Sequence, residues 1–461
     1  MLNTLSVETQ ETLKELGYSK LTPIQEQSLP ILMAGRDLIG ESSTGSGKTA
    51  AFGIPIIERV GLDYRDVQVL ILCPTRELCE QVAREIRKLG RRLPGFQVLI
   101  LCGGQPGRPQ SIALRAGAQV VVGTPGRVLD HITRENLSLA HVRMVILDEA
   151  DRMLDMGFEE EMTAIMESAP EKRQTVFFSA TLPESFKAMS ARYQTNPAHI
   201  KIESTEEKPS IEQVAYASTT EEKPANLLRI LHDLQPNMAI VFCNLKVTAA
   251  KLALTLSENG VAAGALHGDL EQEDRNKMMS MFRNGSLRVL VATDVAARGL
   301  DVADLDLVVN YDLSIHLEDY IHRIGRTGRA GKEGRAITLA TTREHGRLED
   351  YAREADFELK TGVYGAAFDG EDRTKLPFVP LESKMSTIYI SGGRKDKVRP
   401  GDILGALTGE TGGLTGAEIG KIEVFDHFAY VGIAKGRAAD IVNNLKVGRI
   451  KGRQFLIRLV T

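Results

Sequence analysis

Over about the first 200 residues, short apolar runs rich in β-branched residues alternate with amphipathic stretches. The runs are VQVLILCP (67–74), FQVLILCG (96–103), QVVVGTP (119–125), VRMVILDE (142–149) and QTVFFSA (174–180). Runs this continuously apolar predict parallel strands buried on both faces, with crossover helices between them. One such helix, EQVAREIRKL, ends at Gly90, a candidate C-cap. The pattern breaks at 203–224, ESTEEKPSIEQVAYASTTEEKP, a charged stretch with two prolines and one strand-like patch that reads as a linker. A second series follows: NMAIVFCN (237–244), VAAGALHG (261–268), LRVLVATD (287–294), LDLVVNYD (305–312) and GRAITLAT (334–341). Its rhythm matches the first, so two related α/β lobes are expected, at 1–205 and 210–365. After an irregular stretch at 362–383, residues 384–461 read β (STIYIS), α (PGDILGALTGE), β (IGKIEVF), β (FAYVGIA), α (AADIVNNLK), β (QFLIRLV). That βαββαβ order predicts a ferredoxin-like α+β domain.

Length agrees with three domains, since 461 residues exceed one ordinary core. No window approaches the run of about 20 apolar residues that spans a bilayer. The start, MLNTLSVETQETLKEL, lacks a basic-then-apolar signal, so a cytoplasmic protein with no membrane partner is expected. Cys73, Cys79, Cys102 and Cys243 form no CxxC pair and have no neighbouring histidines, which argues for small buried hydrophobes in a reduced compartment. The net charge of −4 is unevenly spread: residues 384–461 hold 13 Lys+Arg against 7 Asp+Glu, on an otherwise acidic chain. A basic module on an acidic body suits a polyanionic partner.

The strongest local chemistry is SSTGSGKTAAF (42–52), between the run DLIGE and a helical stretch. Backbone N–H groups of Gly45, Ser46 and Gly47 can curl around phosphate oxygens because glycine tolerates the dihedrals required. Lys48 supplies charge to the outer phosphates, Thr49 a hydroxyl for Mg²⁺, and the helix N-terminus its dipole. Ser42 stands where the general GxxxxGK[ST] pattern begins with glycine, so the loop is a variant. LDEAD (147–151) follows an apolar strand, and a strand end is where acids can face the phosphate loop. Asp148 would hold Mg²⁺ through water, and Glu149 would orient or deprotonate the attacking water. SAT (179–181) closes the next strand, in the order expected of a phosphate-loop ATPase.

GYSKLTPIQ (17–25), SSTGSGKT, PTREL (74–78), GG (103–104), TPGR (124–127), DEAD and SAT resemble the DEAD-box helicases in order and spacing. So do VFCN (241–244), HGDLEQEDR (267–275), ATDVAARGLD (292–301) and HRIGRTGR (322–329) in the second lobe. The resemblance covers roughly residues 1–365. It implies two tandem RecA-like parallel-sheet domains with ATP and Mg²⁺ as cofactors. In that resemblance Gln25 matches the adenine-reading glutamine, Tyr18 the stacking ring, and Thr44 to Thr49 the phosphate cradle. The family carries a further aromatic upstream, where this chain has only Leu2 and Leu5. Asp301 matches a second-lobe nucleotide contact. Arg326 and Arg329 match the arginine fingers, a device worth about 10³–10⁵ in rate. Arg76, Gly103, Gly104, Thr124 and Arg127 match first-lobe RNA contacts, and Asn244, Gln272, Arg275, Thr293 and Arg298 second-lobe ones. Amides, hydroxyls, arginines and bare glycine backbone suit phosphate and ribose and read little sequence. Ser179 and Thr181 resemble the residues coupling the two sites.

The tail order resembles an RNA recognition motif, with Tyr389, Phe428 and Tyr430 on one sheet face where such domains stack bases. FDHFAYVGI has Asp426 and His427 where the usual signature has a basic residue and glycine. Two basic clusters suit RNA phosphates: Arg394, Lys395, Lys397 and Arg399, then Lys446, Arg449, Lys451 and Arg453. RPGDILGALTG, GAEIGKIEV and GRIKGRQFLIRL resemble the tail of the DbpA subfamily of bacterial DEAD-box proteins. That likeness implies RNA as partner, specifically a large-subunit ribosomal RNA hairpin in pre-ribosomal particles. The sequence thus reads as an ATP-dependent RNA helicase acting in ribosome assembly. The alternatives are a general RNA-dependent ATPase or RNA clamp without ribosomal specificity, and a DNA helicase sharing the phosphate loop.

Overall fold

The computed structural model describes residues 4–42, 46–104, 106–179, 181–202, 211–297, 302, 305–328, 333–363, 379–409 and 412–460. Seven strands build the first sheet: β1 (Leu38–Glu41), β2 (Val69–Leu72), β3 (Val98–Leu101), β4 (Val120–Gly123), β5 (Met144–Asp148), β6 (Gln174–Ser179) and β7 (Ala198–Lys201). They lie in the order β3-β4-β2-β5-β6-β1-β7, every pair parallel. Both faces are buried, as the unbroken apolar runs predicted. Val69 and Ile71 of β2 join one core, Leu70 and Leu72 the other.

The second lobe repeats this order strand for strand. Its strands are β8 (Ile211–Ala217), β9 (Ala239–Phe242), β10 (Ala263–Leu266), β11 (Val289–Ala292), β12 (Leu307–Asn310), β13 (Gly334–Ala340) and β14 (Leu359–Val363). They run β10-β11-β9-β12-β13-β8-β14, again all parallel. The linker expected at 203–224 is therefore too wide: its patch IEQVAYA is β8, clamped between β13 and β14. Its charged flanks masked an interior strand in the sequence pattern.

The tail domain adds β15 (Met385–Ile390), β16 (Ile419–Val424), β17 (Ala429–Ala434) and β18 (Ile457–Leu459). Their antiparallel order, β16-β17-β15-β18, is the ferredoxin-like one. The helices Pro400–Thr408 and Ala438–Val447 cover one face through Ile403, Leu407, Ile441 and Leu445. Contacts divide the chain into two compact units, the first lobe in one and the second lobe with the tail domain in the other.

Gly90 does cap the helix Arg76–Leu89, but with φ −87°, outside the left-handed region expected of a glycine cap. The requirement is steric instead: a Cβ there would stand 2.4 Å from the Phe96 ring. All four cysteines are buried free thiols.

Candidate nucleotide and RNA sites

In open parallel sheets ligands gather at the carboxyl ends of the strands. Here that edge of the first lobe divides in two. β1, β5 and β6 lead into the phosphate loop, the DEAD string and SAT, while β2, β3 and β4 lead into PTREL, GG and TPGR.

The phosphate loop enters the helix Lys48–Arg59 through Gly47, whose φ of +94° suits glycine. A Cβ there would lie 2.5 Å from Gln25 Nε2. Gln25 Nε2 donates to the Gly47 carbonyl (3.1 Å), and the Thr22 hydroxyl donates to the Ser46 carbonyl (2.8 Å). The Thr22 N–H donates in turn to Gln25 Oε1 (3.0 Å). One hydrogen and one lone pair of the Gln25 amide are left, a complement to one edge of adenine. Tyr18 packs half-buried against the apolar cluster that includes Leu13 and Leu29, and burial raises its phenol pKa. Lys48 is buried, its Nζ donating to the Ser42 carbonyl (3.1 Å). Ser42 earns its place in the variant loop: its hydroxyl pairs with Ser46 Oγ (3.1 Å), and its N–H donates to the Ser179 carbonyl (3.1 Å). Thr49 opens the helix beside Lys48. Thr44 and Gly45 lie outside the described residues.

Asp148 ends β5 with 3% exposure, and its Oδ1 has no hydrogen-bond partner among the described residues. Burial pushes its carboxyl pKa up to about 6, against the pull of Lys48. Glu149 turns the strand into the helix Ala150–Asp155 from a left-handed conformation (φ +55°), uncommon for a residue with a side chain. Its Oε2 lies 3.4 Å from Arg152 Nε without a hydrogen bond. Thus two acid oxygens, on consecutive residues, are buried with unused acceptor capacity. Oxygen ligands of this sort, with Thr49, fit a magnesium ion that takes its remaining ligands from phosphate and water.

Thr181 is tied to the DEAD string: its N–H and its hydroxyl both donate to Asp151 Oδ2, each at 3.0 Å. Ser179, fully buried, donates to the Thr181 carbonyl. Sequence reading named Thr181 but missed Asp151 as its partner and Arg152, 2% exposed, beneath Glu149.

At the other half of the edge, Arg76 begins its helix beside Glu80 (3.6 Å), and Thr124 precedes the helix Pro125–Thr133. Gly103 and Gly104 are exposed, with φ +70° at Gly104. Arg127 lies 3.9 Å from Asp130. In the second lobe the corresponding strands carry Asn244 after β9, Gln272 and Arg275 after β10, and Thr293 after β11. Gln272 Nε2 donates to Asn276 (2.9 Å), and Arg275 Nη2 to the Ala296 carbonyl (2.6 Å). Arg326 follows the helix Leu317–Ile324 and is 8% exposed. Arg298, Asp301 and Arg329 lie outside the described residues.

In the tail domain the two basic clusters meet. Lys451 Nζ donates to the Lys397 carbonyl (2.7 Å) and faces Asp402 (3.5 Å), which brings the loop of Arg449, Lys451 and Arg453 against that of Arg394, Lys395 and Lys397. These six side chains are exposed. Tyr389 and Tyr430 do share a sheet face, being cross-strand partners, but Tyr430 is 3% exposed and the rings contact one another. Part of the same sheet packs on the second lobe, which the sequence did not announce. Asn284 Nδ2 donates to Thr387 Oγ1 (2.9 Å), Thr387 meets Ser286 Oγ (2.8 Å), and Arg283 pairs with Glu423 (3.1 Å). Gly432 makes room, since a Cβ there would lie 2.9 Å from the Asn284 side chain.

Three family models match in succession: DEAD/DEAH box helicase over residues 22–189, helicase conserved C-terminal domain over 222–331, and DbpA RNA binding domain over 387–459. The ATP-dependent RNA helicase DbpA of Escherichia coli (strain K12) is 44% identical over 459 residues, covering 100% of this chain and 98% of that protein. The chain belongs to the DEAD-box ATP-dependent RNA helicases, of the DbpA type. A second such helicase, DbpA of Bacillus subtilis (strain 168), is 36% identical and spans 96% of both chains. Among solved structures, S. cerevisiae Dbp5 bound to RNA and ADP BeF3 is similar at TM-score 0.71 and 31% identity, covering 78% of this chain and 94% of that one. The enzyme is therefore an RNA helicase that hydrolyses ATP, with two RecA-like lobes and an RNA-binding domain. No helix among the described residues is long and apolar enough to cross a membrane.

Proposed function

We propose that this helicase couples ATP hydrolysis to local opening of RNA duplexes, and that its tail directs it to a large-subunit ribosomal RNA hairpin in cytoplasmic pre-ribosomal particles. The observation that carries the coupling is the Asp151–Thr181 pair, which joins the acidic strand end to SAT. The roles follow from placement. Gly47, Lys48 and the helix N-terminus take the phosphates, and Gln25 and Tyr18 take adenine. Asp148 and Thr49 would hold Mg²⁺, whose charge offsets that of the phosphates, while Glu149 orients the attacking water. Arg326 supplies the positive charge that phosphoryl transfer needs. Because the phosphate loop belongs to the first lobe and Arg326 to the second, an isolated first lobe should bind ATP and not turn it over.

Targeting is supported by the converging basic loops, joined through Lys451. Such a surface favours structured RNA through its phosphates. The test is ATPase stimulation by that hairpin and by arbitrary RNA, for the full chain and for one ending at residue 383. The full chain should prefer the hairpin and the shortened chain should not. Equal stimulation by both RNAs in both chains would leave a general RNA-dependent ATPase.

A further inference from the structure

Among the described residues Arg323 is the largest fully buried side chain, and the roles above do not use it. A guanidinium has five N–H donors in a fixed fork, and here all five are engaged. Nε donates to Asp294 Oδ1 (2.6 Å) and Nη2 to Asp294 Oδ2 (2.7 Å), a bidentate pair. Nη2 also donates to Asn244 Oδ1 (2.7 Å). Nη1 donates to the Asp312 carbonyl (2.6 Å) and to Asn310 Oδ1 (3.3 Å). The group lies over the Phe242 ring, 5.2 Å from its centre. One side chain thereby ties together the ends of β11, β9 and β12, three neighbours in the sheet.

Two of its attachments lead to residues with proposed roles. Asn244 is exposed at the RNA side, yet one edge of its amide is held by Arg323, while its Nδ2 donates to the Leu313 carbonyl (2.9 Å). On the other side the Arg323 carbonyl accepts from the Arg326 N–H (3.2 Å), across the turn that presents Arg326. A planar fork with no donor left over cannot yield at one acceptor without strain at the others.

We propose that Arg323, fixed by Asp294, is a positioning residue that holds Asn244 and the turn carrying Arg326 in one frame, so that RNA contact at Asn244 sets the placement of Arg326. This rests on the proposed roles of Asn244 and Arg326. A lysine cannot replace the fork, and an asparagine at 294 keeps the shape while removing the charge.

The experiment uses the full chain as parent, Asp294→Asn and Arg323→Lys. It measures melting temperature, affinity for a fluorescent ATP analogue, and ATPase rate against RNA concentration well below each melting point. Both variants should keep analogue affinity within about twofold, lose at least about tenfold in maximal rate, and need several-fold more RNA for half-saturation. Asp294→Glu, which keeps the charge, should recover part of both losses. Should Arg323→Lys fail to fold, the two variants at 294 decide. A lowered melting temperature with parental rate and parental RNA dependence would reduce Arg323 to a core residue and overturn the proposal. A parent chain unresponsive to RNA would instead defeat the reading on which it rests.

Discussion

Glu149 and Asp148 carry the sharpest consequences at the scale of single residues. Glu149→Gln would remove the carboxylate proposed to orient water and leave the phosphate loop untouched. The maximal ATPase rate should fall about 10²–10⁴-fold with unchanged ATP affinity, read by steady-state turnover beside equilibrium nucleotide binding. An unaltered rate would place the water-orienting group elsewhere. For Asp148, burial raises the carboxyl from 3.8 to about 6. A raised acid keeps its proton longer in the fold than in the unfolded chain, so its contribution to stability is full below about pH 4 and lost as pH rises through about 6. A carboxylate is what a magnesium ion binds, so MgATP affinity should rise over the same window, by up to about tenfold per pH unit below 6. Asp148→Asn should flatten both trends in melting and binding titrations. A parent chain with no pH dependence between 4 and 6 would contradict the assignment. Much of this site was legible beforehand, because GSGKT and DEAD sit at strand ends where few other roles fit. Arg152, Arg323 and the Asp151–Thr181 pair were not, since their meaning lies in partners that only the folded sheet brings within bonding distance.

Among the elements, apolar runs flanked by turn signals were read correctly as strands, and the elements misread were those with mixed composition. β8 was hidden inside a charged linker pattern, and β14, LKTGV, carries too few apolar residues to stand out. The tail's docking surface was invisible for another reason: Asn284, Thr387 and Gly432 are ordinary polar and small residues, distant in sequence. Gly432→Val would drive a branched side chain into Asn284, where a Cβ alone would already fall at 2.9 Å. Overpacking of this kind costs about 1–3 kcal/mol. The variant should therefore loosen the tail domain from the second lobe, seen as faster amide exchange at Gly285 and Ser286, while the ferredoxin-like core stays protected. Unchanged exchange at those amides would show that the contact does not hold the domain.

For the whole molecule, two lobes of identical strand order present loops at equivalent strand ends, one lobe with the phosphate loop and the other with the buried arginine frame. A third domain, rich in Lys and Arg, adds a basic surface to two lobes that together are acidic in sequence. The acidic body with a basic tail already suggested this division, and the structure sharpened it by bringing the two basic loops together at Lys451. Binding through phosphates should weaken steeply with salt. Raising salt from 50 to 200 mM should thus reduce tail-dependent RNA affinity by about tenfold or more, and substituting Lys451 and Arg453 by alanine should flatten that dependence. A salt response identical in the substituted chain would exclude those loops from RNA contact. The most direct test of the central claim is the ATPase rate of the full chain with ribosomal RNA fragments, total RNA and DNA at equal nucleotide concentration. The account predicts strong stimulation by RNA, strongest with the large-subunit fragment, and little by DNA. Equal stimulation by DNA, or none by any RNA, would contradict it.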